Sequence, residues 1–91
     1  MGKGKGEEGL TKDSDECYPI SKVHDLGHNA SVCYMSMKYI TNDGGSFYND
    51  EVSIDDKTGH VAIIAKEALS LLEWLQREKS TLERMAKEDG M

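Results

Sequence analysis

From Val61 to Lys87 the apolar residues recur with the period of a helix. At 100° per residue, Val61, Ile64, Ala65, Ala68, Leu71, Leu72, Leu75, Leu82, Met85 and Ala86 share one broad face. That is the width of a stripe that packs on a core. No Gly or Pro interrupts the run after Gly59, and Ala, Leu, Glu, Lys and Arg dominate it, all strong helix formers. Glu73 to Arg77 and Glu83 to Lys87 are Glu-before-cation pairs four apart, a spacing that supports an exposed helix face. Two residues spoil the stripe: Glu78 and Lys79 fall on its apolar side. The packed part therefore runs from Ile64 to Leu75. Beyond it the helix projects or breaks, and Ser80-Thr81-Leu82-Glu83 fits a capping box for a restart. Leu69 lies off the stripe and Trp74 at its edge.

Upstream the period changes from 3.6 to 2. Ala30 to Thr41 alternates as a strand, with Cys33, Met35, Met37 and Tyr39 on one face, the face assigned to the helix. Asn42-Asp43-Gly44-Gly45 supplies the positive φ that a hairpin turn needs. Ser46 to Asp55 returns, with Tyr48, Val52 and Ile54 on one face and Phe47, Asn49, Glu51 and Ser53 on the other. Asp55 to Gly59 is the next turn. His60 to Ile64 is rich in β-branched residues and reads either as a short strand or as the start of the helix. Before the hairpin, Pro19 suits an edge strand, placed over Ile20 to His24, and Gly27-His28-Asn29 reads as a turn. Residues 1–16 are rich in Gly, Lys, Glu and Asp, with Leu10 the one large apolar residue after the start. The pattern predicts a disordered tail there and a single domain over 17–91. The expected fold is α+β: an antiparallel sheet of two to four strands, with a central hairpin at 30–55, against one long helix at about 61–87.

Composition narrows the function. The chain has 91 residues and a net charge of −6. An acidic chain argues against non-specific nucleic-acid binding and against docking on an anionic membrane. No run of eighteen apolar residues is present, so no membrane helix is expected. Lys3 and Lys5 lack a following apolar region, so the start does not read as a secretory signal. Two cysteines are too few for a disulfide scaffold; a single Cys17–Cys33 bridge is the alternative to reduced thiols in a cytoplasm.

Several residue sets are of types that could carry chemistry. Cys17, His24, His28 and Cys33 are zinc-preferring types in the order C-x6-H-x3-H-x4-C. Only the histidine pair has common structural-zinc spacing, so zinc stands as the alternative and no cofactor as the expectation. His24 beside Asp25, and His60 near Asp55 and Asp56, lack triad spacing, a nucleophile elbow or a phosphate loop; no enzyme is expected. No stretch fits a calcium loop. The order of hairpin then helix is similar to that of single-strand-binding coactivator folds, an analogy of fold alone. Such sheets need cations beside stacking rings, and here Lys38 is the one cation among Tyr34, Tyr39, Phe47 and Tyr48.

Charge layout remains. Asp43, Asp50, Glu51, Asp55 and Asp56 fall in fourteen residues without Lys or Arg. Such a hairpin is either a solvated strand protector or a surface steered to a basic groove on a protein partner. The expectation is a small, cytoplasmic protein-binding module, an inhibitor or adaptor of the phage or mobile-element accessory kind. Those five acids would steer. Trp74, Leu82 and Met85 would anchor a partner, or a second copy in a homodimer through the C-terminal helix.

Overall fold

Turn chemistry sets the order of the sheet. The computed structural model describes residues 10–89 and runs β1 (Thr11–Pro19), β2 (His24–Gly27), β3 (Ala30–Ile40), β4 (Ser46–Asp56), β5 (Gly59–Ile63), α1 (Ala65–Arg77) and α2 (Lys79–Glu88). His28 and Asn29 take φ of 48° and 75°. Two left-handed residues in a two-residue loop match the twist of the strands they join. Between β3 and β4, Gly44 takes φ 91° and donates its N–H to the Thr41 carbonyl at 3.2 Å. Asp43 accepts the Thr41 hydroxyl and the Gly45 N–H at 3.1 Å. Between β4 and β5, Asp56 accepts from the Thr58 N–H at 2.8 Å and the Gly59 N–H at 3.1 Å. Short polar side chains thus hold both of these turns.

The strands form one antiparallel sheet in the order β1-β3-β4-β5, with β2 beside β3 on the same edge as β1. In the β3–β4 ladder Cys33 faces Ser53, Met37 faces Asn49, and Tyr39 faces Phe47. Period two places Met37, Cys33, Glu51 and Ser53 on a common face, and these four are the buried side chains among the described residues. The alternation in β3 therefore predicts the buried face correctly. What closes that face is the curl of the sheet. The Lys12 ammonium on β1 donates to the Ala62 carbonyl on β5 at 3.0 Å. Those two edges are three strand spacings apart, about 14 Å in a flat sheet, so the lysine spans them because the sheet bends toward itself.

Four expectations need correction. The sheet has five strands, not two to four, and its main hairpin pairs 30–40 with 46–56. The tail predicted over 1–16 gives way at Thr11 to β1, so the folded unit starts before residue 17; residues 1–9 lie outside the described residues. The early edge strand lies at His24–Gly27 rather than Ile20–His24. Finally, Val61 to Ile63 belong to β5, and the expected helix over 61–87 is two helices that part at Glu78, whose φ of −97° and ψ of 13° leave the helical region. The break falls where Glu78 and Lys79 interrupt the apolar face. Ser80 does not cap a restart; α2 begins at Lys79 without a side-chain cap.

The packing of the helix differs as well. Glu67 reaches back to the Ile64 N–H at 3.0 Å, which fixes the start of α1. After that point α1 approaches β4, yet no residue of α1 or α2 is buried. Leu71 and Leu75, the intended core contacts, stay 38% exposed. The radius of gyration is 16.1 Å, with extents of 51 × 29 × 20 Å. A compact domain of this length has about 12 Å. The helices form an arm that extends from the sheet.

Candidate protein interface

The inner face holds the strongest electrostatics. Glu51 is 1% exposed. Its Oε1 lies 3.0 Å from the Lys12 ammonium, and its Oε2 accepts the Tyr39 hydroxyl and the Asn49 amide, the latter at 3.2 Å. Burial pushes the Glu51 carboxyl up, but the bonds from Tyr39, Lys12 and Asn49 and the lysine charge outweigh it and hold the pKa below the usual range. Burial pulls Lys12 down, and Glu51 more than restores it, so its pKa is raised. Lys12 also sits 5.8 Å over the Tyr39 ring, which stacks on Phe47 at 5.4 Å. The adjacent cleft of about 630 Å³ is rimmed by Lys12, Phe47, Asn49, Ile63 and Glu67. Lys12 is paired with Glu51, and Glu67 is tied through one oxygen to the Ile64 N–H at the helix start. The Lys12–Glu51–Tyr39 cluster braces the sheet.

The outer face is different. Tyr18, Tyr34 and Tyr48 all point away from Met37, and all are exposed. Tyr18 and Tyr48 stack at 6.0 Å, and Glu16 accepts both hydroxyls, at 3.2 and 3.1 Å. The bond to Tyr18, burial and the Glu16 carboxylate together push the Tyr48 phenol up to about 12. Asp50 stands two residues along β4 from Tyr48, opposite Ser36. Rings held by a sheet, with carboxylates beside them, offer large contact area at little cost in side-chain freedom.

The five expected steering acids do not form one patch. Glu51 is buried and leaves the set, because its charge is spent on Lys12. Asp43 and Asp56 sit in turns at opposite ends of β4, about 30 Å apart along an eleven-residue strand. Each is held below the usual carboxylate range, Asp43 chiefly by the Thr41 hydroxyl and Asp56 chiefly by the Thr58 hydroxyl. Asp55 is half-buried and accepts the Ser53 hydroxyl at 2.7 Å. Asp50 alone joins an exposed acid to the tyrosines. Glu16, which completes that cluster, was missed because β1 does not look like a strand. On the arm, Trp74 is 47% exposed and Met85 is exposed, while Leu82 is half-buried.

The candidate zinc ligands are not assembled. Cys17 stands opposite Met37 and His24 opposite Val32, and among the described residues no group of three or more His, Cys, Asp or Glu is placed to hold a metal. Cys17 and Cys33 are both free. The register puts them four residues apart along the ladder, about 13 Å, too far to bridge. Burial, then Asp55, pushes the Cys33 thiol pKa up. No helix among the described residues is long and apolar enough to cross a membrane. Set against protein-family models, curated proteins and solved structures, the chain finds no match in any of the three.

Proposed function

We propose that the protein is a binding module that acts by docking on a partner protein with a basic surface, in the manner of an inhibitor or adaptor. One observation carries the reading: the outer face exposes Tyr18, Tyr34 and Tyr48, with Tyr18 and Tyr48 stacked over Glu16, and Asp50 two residues along β4 from Tyr48. Tyrosine is enriched at interface centres, and the carboxylates select a cationic partner and speed the encounter. Asp43 and Asp56 at the two strand ends extend the negative field beyond the contact. A single nucleic-acid strand would meet the same rings but also Glu16 and Asp50, with Lys38 as the nearby cation on that face, a poor match to phosphate.

The test uses a captured partner and three baits: wild type, Tyr48→Ala, and Asp50→Lys with Glu16→Lys. Tyr48→Ala should raise the dissociation rate of the complex. The charge reversal should slow association at low salt by about tenfold, and the difference should shrink as salt rises. Equal kinetics for all three baits, each retaining the wild-type circular dichroism, would reject the sheet face as the docking surface.

A further inference from the structure

We propose that the helical arm is a self-association surface, and that the protein is a homodimer joined through α1 and α2. The apolar arc of α1 runs from Trp74 through Leu71, Leu75, Ala68 and Leu72 to Leu69, about 220° at 100° per residue. One packing neighbour covers about half of that arc. The arm's own neighbour is β4, and it leaves Leu69 63% exposed, Leu72 and Trp74 47% each, and Leu71 and Leu75 38% each. On α2, Met85 is 48% exposed. With about 200 Å² for a fully exposed side chain of this size, the six leave on the order of 600 Å² of mostly apolar surface, close to the ~800 Å² per partner of a standard interface.

Charge identifies the occupant. Residues 65–88 hold five cations and five glutamates, so the arm is neutral and the whole net charge of −6 lies elsewhere. A surface of alternating sign and zero net charge meets its own copy without repulsion, as an isologous two-fold contact requires. The sheet region, by contrast, repels its own copy and keeps the second chain on the arm. The monomer also needs the contact: among the described residues its buried hydrophobic side chains are Cys33 and Met37, a small core for a folded unit of this length. The dimer does not depend on the partner reading above, since it uses a different face.

Light scattering on a sizing column at 10–200 µM tests it, with folding followed by circular dichroism. The wild type should give twice the 10.1 kDa chain mass. Leu69→Lys should give the chain mass with the helical signal kept at high concentration, because Leu69 makes the least contact within its own chain. Leu69→Ala, which keeps a strong helix former, should weaken the dimer at least tenfold, since each substitution is present twice. Lys66→Ala, on the polar side of α1 away from both ends of the arc, should leave the dimer intact. A wild type that stays at 10.1 kDa at 200 µM overturns the proposal, even if another protein is captured by the arm. A dimer that survives both Leu69 substitutions overturns it too. Either result leaves the tyrosine face to be judged on its own kinetics.

Discussion

The curled sheet and the helical arm reverse the usual placement of residue types. The sheet closes over a carboxylate, Glu51, and a hydroxyl, Ser53, beside one methionine and one cysteine. The arm leaves leucines and the sole tryptophan in solvent. In the sheet Glu51 meets Tyr39 and Lys12 from neighbouring strands and Asn49 from its own, and Ser53 donates to Asp55 along β4, so their desolvation is offset locally. In the arm, none of the described residues supplies the second apolar wall. The difference teaches that burial here follows geometry before hydrophobicity. A bent antiparallel ladder encloses whatever its inner positions carry, and a helix at the end of the chain is enclosed only if something comes to meet it.

Substitutions sharpen that contrast. Met37→Ala should have the largest effect, about 2–5 kcal/mol, a large part of the whole stability of a domain this size; urea unfolding reads it. Lys12→Ala strands Glu51 beneath the curl. The loss should be about 2 kcal/mol, below that of a fully buried pair because Lys12 keeps part of its hydration. The same pair fixes the pH window. The Glu51 pKa is lowered from 4.5, so its contribution is present above that value and is lost as pH falls through the lower folded pKa. The Lys12 pKa is raised from 10.5, so its contribution is present below that value and is lost as pH rises through the higher folded pKa. Thermal melts from pH 2 to 12 should decline at both ends, and Lys12→Ala should flatten both declines. Gly44→Ala meets nothing within 4 Å but sits at φ 91°, so its cost is backbone strain alone, about 1 kcal/mol. Leu69→Ala should be smallest, under about 0.5 kcal/mol in dilute monomer. A loss there as large as that of Met37→Ala would mean that the arm is seated in its own chain, and the contrast would collapse.

Much of the sheet was legible. Asp43-Gly44 and His28-Asn29 carry turn chemistry in their side chains, and β3 alternates cleanly because its inner positions are Cys33, Met35, Met37 and Tyr39. β1 was hidden because its inner positions carry Lys12 and Cys17 within a charged run, which reads as a tail. Glu51 looked like a solvated acid for the same reason: the lysine that buries it lies thirty-nine residues away. Val61 to Ile64 suits a strand and a helix equally, and only the turn at Asp56 decides for β5. At Glu78 no Gly or Pro announces the break. The acids were visible as a cluster in sequence, but a strand is long, and register separates Asp43 from Asp56.

The bond from Lys12 to the Ala62 carbonyl joins residues fifty apart. During synthesis the first strand leaves the ribosome long before the strand it must reach, and chains grow N-terminus first. A nascent chain halted between Asp56 and Ala62 would hold every hairpin residue of β3 and β4 yet lack the far edge that the lysine grips. Closure of the curl therefore cannot precede synthesis of the fifth strand.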